Sequence, residues 1–205
     1  VNHLRFAGAG ADVQRAALTR IVQDSPVLMR TLRGLHDLAL PDGWLVSGAI
    51  YNQVWNALTG RPEMHGVKDI DLFCFDPDTS WEDEDRQIRR AAALFPGEPP
   101  VELRNQARVH LWYGRHFGRE LPRAYQSSCD GIDHFAALTH CVAVRLGAGG
   151  PQVYAPYGLD PIFRFALVPN PRLDNRETFA AKAARQCAIW PELNVESWPD
   201  GPDQA

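Results

Sequence analysis

Two hydrophobic periods alternate along the chain. From residue 11 to about residue 40 the apolar positions recur at threes and fours: Val13, Ala16, Ala17 and Ile21, then Leu28, Leu32, Leu35 and Leu38. That spacing predicts two amphipathic helices covering a sheet. Asp12 is a candidate cap for the first. Ser25 followed by Pro26 opens the second, because proline at the first helical position lacks an N–H that would have had no partner there. Trp44 to Val46 is a short apolar run and Ser47-Gly48 a tight junction. Ile50, Val54, Trp55 and Leu58 then form a helical face that closes at Thr59-Gly60-Arg61-Pro62. Strand, glycine turn, helix is the predicted order.

KDIDLFCF, residues 68–75, predicts a second strand covered on both faces after Asp71. Ser80 and Asp83 make a capping box for a helix carrying Ile88, Ala91, Ala92 and Phe95. Residues 101–106 read as a third strand, and 107–117 as either its continuation or a helix. Ile132, Phe135, Ala136, Thr139 and Val142 predict a helix over 130–144. A brief strand at Val153 and Tyr154, a short helix over 159–165, a last helix over 175–190 and a frayed tail from Pro199 to Ala205 complete the reading.

A chain of 205 residues can bury one sizeable core without staples. Lys plus Arg number 21 against 25 Asp plus Glu, a formal charge of -4, so there is no general basic field for nucleic acid. Cys74, Cys129, Cys141 and Cys187 form no C-x-x-C pair, and the expectation is free thiols rather than disulfides or zinc ligands. No segment reads as a leader, and no apolar run approaches the ~20 residues of a membrane helix. The expected compartment is the cytoplasm.

The sharpest chemical feature is Asp69-Ile70-Asp71. On a strand both carboxylates leave the same face, where they repel unless a cation or added hydrogen bonds offset the charge. A divalent cation with substrate phosphates suits such oxygens, although D-x-D also occurs in ordinary strand edges and loops. The Ser47-Gly48 junction opens a helix whose free N–H groups suit phosphate; it reads equally as a turn with no ligand. Glu102, between Val101 and Leu103, is either a third carboxylate converging on the pair or an exposed edge residue. Asn52 faces a nucleotide sugar or pins the loop 60–66, and Arg108 binds phosphate or forms a structural salt bridge. His110 and Trp112 share a face if their segment is a strand, and core packing is the expectation for Trp112.

In this order, Ser47-Gly48, Asp69-Ile70-Asp71 and Val101-Glu102-Leu103 resemble the core signature of the DNA polymerase β-like nucleotidyltransferase superfamily. The chain is similar to a bacterial nucleotidyltransferase-like family of unknown substrate through SGAIYNQVWNALTGRP, KDIDLFCFD, VELRNQARVHLWY, YQSSCDGI and LVPNP. These span about residues 44 to 171, and the WPEL that ends the last helix also fits. The resemblance implies an α+β nucleotidyltransferase fold, a small mixed sheet flanked by helices. Residues 1–125 would form the core with its N-terminal helices, and 126–205 a mostly helical extension packed on it. It implies transfer of a nucleotidyl group from an NTP to a hydroxyl acceptor with Mg²⁺ or Mn²⁺; the balanced charge and the lack of a recognisable RNA-binding module favour a small-molecule acceptor over long RNA. Asp69, Asp71 and Glu102 would be the catalytic carboxylates and metal ligands; Ser47, Gly48, Asn52 and Arg108 would contact the nucleotide. Two departures stand out: Ala49 follows Gly48 where a second Gly or a Ser is usual, and Glu102 replaces the common aspartate. A non-catalytic nucleotide-binding or regulatory module is the alternative.

Overall fold

The computed structural model describes residues 2–199, so the expected tail lies, beyond Pro199, outside the described residues. The chain begins with helices α1 (Ala11–Gln23) and α2 (Pro26–Leu38), then strand β1 (Trp44–Val46), helix α3 (Gly48–Thr59) and strand β2 (Ile70–Cys74). Helix α4 (Trp81–Leu94), strand β3 (Val101–Asn105) and helix α5 (Val109–Phe117) follow. The rest comprises α6 (Ser128–Ile132), β4 (Ala143–Gly147), β5 (Gly150–Tyr154), α7 (Asp160–Phe163), β6 (Ala166–Leu167), α8 (Arg176–Ile189) and β7 (Asn194–Val195). Five strands form one mixed sheet in the order β3-β2-β1-β4-β5, with β2 and β3 parallel and the other neighbours antiparallel. Strands β6 and β7 pair separately. This is an α+β fold, a small mixed sheet flanked by helices.

Strand alternation divides the sheet into two different faces. Leu45, Ile70, Leu72, Cys74, Leu103 and Val144 turn to the main core, where residues of α1, α2, α3, α7 and α8 cover them. Trp44, Val46, Phe73 and Ala143 turn the other way, onto a smaller cluster with Ile132 and Cys141. Asp71 shares that second face by alternation with Phe73. The two fully buried tryptophans, Trp55 and Trp190, tie α3 to the C-terminal elements. Their rings are 5.3 Å apart, the Trp55 indole donates to the Ile162 carbonyl, and that of Trp190 donates to Asn56 Oδ1, both at 2.9 Å.

Helix starts follow local chemistry with two amendments. Gly10, not Asp12, stands at the N-cap of α1, and Asp12 lies within the first turn. At α4, Ser80 accepts the Asp83 N–H as expected, but Asp83 pairs with Arg86 and the Ser80 N–H goes to Asp78 Oδ1 at 2.9 Å. The capping box is thus completed from upstream. At α2, Ser25 Oγ accepts the Leu28 N–H at 3.2 Å and donates to Glu63, which also takes the Val27 N–H at 2.9 Å. Ser25→Ala should therefore cost about 1 to 2 kcal/mol, since it removes a cap and a loop tether together. Urea denaturation of the two proteins measures it; a difference near zero would show Glu63 capping the helix alone.

The stretch 126–205 departs from a mostly helical extension. The expected helix over 130–144 is instead the short α6, a 3-10 turn at Leu138–His140 and the start of β4. Cys141-Val142-Ala143-Val144 is a continuous apolar run, which fits either period. The open edge of β1 supplies a partner, and the turn between Gly147 and Gly150 folds β5 back onto β4. Two of the five sheet strands thus come from this part of the chain. The ambiguous 107–117 becomes helical, so His110 and Trp112 share no strand face. Trp112 is 40% exposed rather than part of the core. Among the described residues no helix is long and apolar enough to cross a membrane, and the four cysteines are free.

Candidate active site

Register brings the predicted motifs together. Val46, the last residue of β1, pairs with Asp71 on β2. Ser47 and Gly48 follow directly on Val46 at that end of β1, and Asp69 and Ile70 stand at the same end of β2. On the other side of β2, Asp71 pairs with Glu102 on β3. Paired residues on neighbouring strands share a face, so Asp71 and Glu102 adjoin; Asp69 stands one residue before β2, not on it as expected, and still acts on the charge of Asp71.

The helix start beside them is strained. Ser47 has φ 55° and ψ -112°, a left-handed backbone for a residue with a side chain, at a cost of about 1 to 3 kcal/mol. Its N–H donates to the Val142 carbonyl at 2.8 Å, while its own carbonyl accepts the N–H of Ile50 and Tyr51. The N–H groups of Gly48 and Ala49 consequently have no carbonyl of their own helix to bond. A Cβ at Gly48 would meet only Tyr51 Oη at 3.9 Å and Asn52 Nδ2 at 4.0 Å, which is ordinary contact. Neither packing nor backbone conformation requires glycine there. The space before it is open.

Electrostatics mark Asp71 as the pivot. Burial, with Asp69 and then Glu102 adding repulsion, pushes its carboxyl up to about 6, partly opposed by Lys182 and Arg104. Lys182 sits on α8, and its ammonium is lowered by burial against the attraction of Asp71 and Asp69. The sequence reading missed it. One signal was available: among 21 basic residues, only Lys68 and Lys182 are lysines. Such a group in an arginine-rich chain invites a question about its place.

Not every predicted site residue converges. Glu102 is about half exposed and ion-paired to Arg104 at 3.0 Å. Among the described residues no group of three or more His, Cys, Asp or Glu side chains is gathered to hold a metal ion. Glu102 thus stands beside Asp71 across the strands while its own carboxylate is paired within β3. The pair Asp69–Asp71 remains suited to a hard cation by its donor chemistry, since Mg²⁺ is commonly held by one or two carboxylates plus substrate oxygens. Arg108 lies elsewhere: it pairs with Glu84 at 2.8 Å and donates to the Thr79 carbonyl, the structural salt bridge of the two sequence alternatives. Asn52 does not pin the 60–66 loop. Asn56 and Gln53 do that through the His65 carbonyl and the Met64 N–H. Asn52 is instead buried with its Oδ1 unpaired.

Behind the helix start lies a buried polar chain. The Tyr51 hydroxyl accepts from Gln186 Nε2 at 2.6 Å, and Gln186 Oε1 meets His140 Nε2 at 3.2 Å. An amide oxygen only accepts, so His140 carries its proton on Nε2, and its buried Nδ1 has no partner. His140 also stacks on Tyr51, with centroids 4.8 Å apart. Burial, reinforced by the positive charge of Lys182, lowers the imidazole to about 3 from 6.5. A depressed pKa means that the unfolded chain binds the proton first, so stability is lost as pH falls from 6.5 toward 3. The loss at pH 5 is about 2 kcal/mol. His140→Phe keeps the stack and removes the titration. Melting curves of both proteins should show the variant gaining on wild type between pH 7 and 5; parallel curves would refute a buried neutral His140.

Asp71 also opens onto a cavity of about 350 Å³. It runs from Asp71, Arg104 and Lys182 along the second sheet face, past Phe73, to α5 and α6.

Comparison with known proteins places this geometry. No curated protein matches the chain. A solved structure described as an NMR structure that reveals a CCA-adding enzyme head domain is similar, with 28% identity and a TM-score of 0.74. The likeness covers 88% of this chain and 95% of that one. A family model described as nucleotidyltransferase matches residues 33–195. Because that match runs from within α2 to the end of β7, it takes in the whole sheet and the helices beside the carboxylates, and the chain belongs to this nucleotidyltransferase family.

Proposed function

We propose that the chain transfers a nucleotidyl group from a nucleoside triphosphate to a hydroxyl acceptor and releases pyrophosphate. The observation that carries this reading is the register of β1 on β2, with an unobstructed Gly48 and free N–H groups beside Asp69 and Asp71. Family membership supports nucleotidyl transfer in general terms. In this reading the Gly48 and Ala49 N–H groups take phosphate oxygens at the positive end of α3. Ser47 holds that turn in its strained shape, and Asn52 offers its unpaired Oδ1 to a donor such as a sugar hydroxyl. Asp69 and Asp71 would hold Mg²⁺ or Mn²⁺, which when bound supplies charge neutralisation and Lewis acidity at the phosphates. Lys182 faces the same oxygens from α8 and offsets the charge that develops during transfer. Glu102, oriented by Arg104, accepts the proton of the attacking hydroxyl. Arg108 has no part.

A small-molecule acceptor is the better fit. The net charge is -4, and the arginines of α4 are already engaged, Arg86 by Asp83 and Arg89 by Asp85. The CCA-adding description of the solved relative belongs to that protein, and fold likeness alone does not carry over an acceptor. The free thiols fit a reducing compartment, the cytoplasm. One observation favours a second reading, a nucleotide-binding module without turnover: Glu102 is already paired to Arg104. Pyrophosphate release from each of the four NTPs, with Mg²⁺ or Mn²⁺ and a metabolite extract as acceptor source, separates the two. Release supports the enzyme. Binding without release supports the module.

A further inference from the structure

We infer that the cavity beyond Asp71 is the acceptor site, and that the acceptor is a small planar aromatic compound bearing a hydroxyl group. The inference rests on the nucleotidyl-transfer reading and adds the class of its second substrate. In-line displacement needs the nucleophile and the leaving group on opposite sides of phosphorus. The helix start proposed for the phosphates follows Val46, the strand partner of Asp71, and so lies toward the beginning of β2. The cavity leaves Asp71 in the other direction: Phe73 lies two residues, about 6.6 Å, further along the strand, and Arg104 and Gln106 follow on the β3 side. Asp71 lines the cavity, whereas Ser47, Gly48 and Asp69 do not. In this reading, a molecule in the cavity reaches phosphates held at the helix start past Asp71, and not past Ser47 or Gly48.

The walls define its chemistry. Phe73, Trp112, Tyr113, Phe117, Tyr125 and Phe135 surround the space, so a flat apolar body gains both burial and ring stacking. About 350 Å³ accommodates a small molecule and not a folded RNA end. Polar atoms are few and oriented. His134 Nδ1 lies 2.7 Å from the Asp130 carbonyl, so it carries the proton and leaves Nε2 as an acceptor. Asn175 Oδ1 is taken by the Tyr113 hydroxyl, which leaves its amide N–H groups as donors. The acceptor's hydroxyl oxygen forms the new bond to the α-phosphorus, and the bond from that phosphorus to pyrophosphate breaks with its electron pair. The hydroxyl proton passes to Glu102.

The test uses the full chain with Mg²⁺, 2-naphthol as the aromatic probe, and cyclohexanol as its non-planar counterpart. Calorimetry measures binding of each probe, of ATP and of tripolyphosphate to wild type, Thr178→Trp and Trp112→Ala. Thr178 lines the cavity from α8, so tryptophan there fills it; the exposed Trp112 supplies a variant whose folding is not at stake. Expected are saturable naphthol binding, at least tenfold weaker cyclohexanol binding, and a tenfold or larger loss of naphthol affinity in both variants. ATP affinity should shift less than twofold, and radiolabel from the α-phosphate should appear on naphthol. If the variants lose ATP affinity while keeping tripolyphosphate, the cavity houses the nucleoside and the inference is overturned, although the transfer reading survives. Absence of naphthol binding in a protein that binds ATP overturns it likewise. If wild type binds neither ATP nor tripolyphosphate, the transfer reading itself fails and the acceptor falls with it.

Discussion

Replacing Asp71 with asparagine should stop nucleotidyl transfer and stabilise the protein in the same stroke. The activity loss is expected on the order of a thousandfold, the scale of several kcal/mol that carboxylate-held cations contribute to phosphoryl chemistry. The gain in stability follows from the repulsion described above. Burial and the neighbouring Asp69 hold the Asp71 carboxyl at about 6 rather than 3.8, so the fold pays for its ionisation at pH 8. An amide removes that cost, and the expected gain is about 1 to 2 kcal/mol, or roughly 3 to 8 °C in Tm. The sign reverses with protons: a raised carboxylate pKa adds stability to wild type as pH falls from 6 toward 3.8. The advantage of the variant should therefore shrink from pH 8 to pH 5. Melting curves at both values, alongside pyrophosphate release at pH 8, check the prediction. A variant less stable than wild type at pH 8 would falsify the view that Asp71 is held against its own electrostatics.

Gly48→Ala separates fold from function at the other half of the site. Its added methyl would meet only the Tyr51 hydroxyl and the Asn52 amide, at 3.9 and 4.0 Å. Alanine also loses less backbone entropy than glycine in a helical turn. Stability should stay level or rise by about 0.5 kcal/mol. A triphosphate approaching the Gly48 and Ala49 N–H groups would meet that methyl, and loss of a close phosphate approach worth about 1 to 3 kcal/mol corresponds to roughly tenfold to hundredfold weaker NTP binding. Equal NTP affinity in the two proteins, by calorimetry with Mg²⁺, would remove Gly48 from the phosphate site. Paired with Asp71→Asn, the variant asks whether the helix start and the carboxylates serve one ligand.

How much of this was legible beforehand depends on the range of the interactions involved. Ser25-Pro26, the 44–46 strand, the Ser47-Gly48 junction and the α3 face were all readable, because their caps, turns and apolar repeats lie within a few residues of one another. The Asp69–Asp71 doublet was readable too, although Asp69 stands just before β2 and not on it. Residues 141–144 were misassigned, since an apolar run fits both periods and only the open edge of β1 selects the strand. Trp112 was expected in the core and stands half-exposed at a cavity wall, because its ambiguous segment folds as helix α5 and its ring packs on neighbours of that same helix.

The sequence by itself determined the local pieces: the helix starts, the doubled carboxylate, the small residue before α3 and the order of motifs that marks the family. Only the tertiary structure decided which charges meet. It sent Arg108 to Glu84 and brought Lys182 from more than a hundred residues away to face Asp71. The physical reason is that backbone preference and side-chain period are set by neighbours in sequence. A pKa, an ion pair or a cavity wall is set by neighbours in space, which the sheet order β3-β2-β1-β4-β5 and the packing of the helices on it assign.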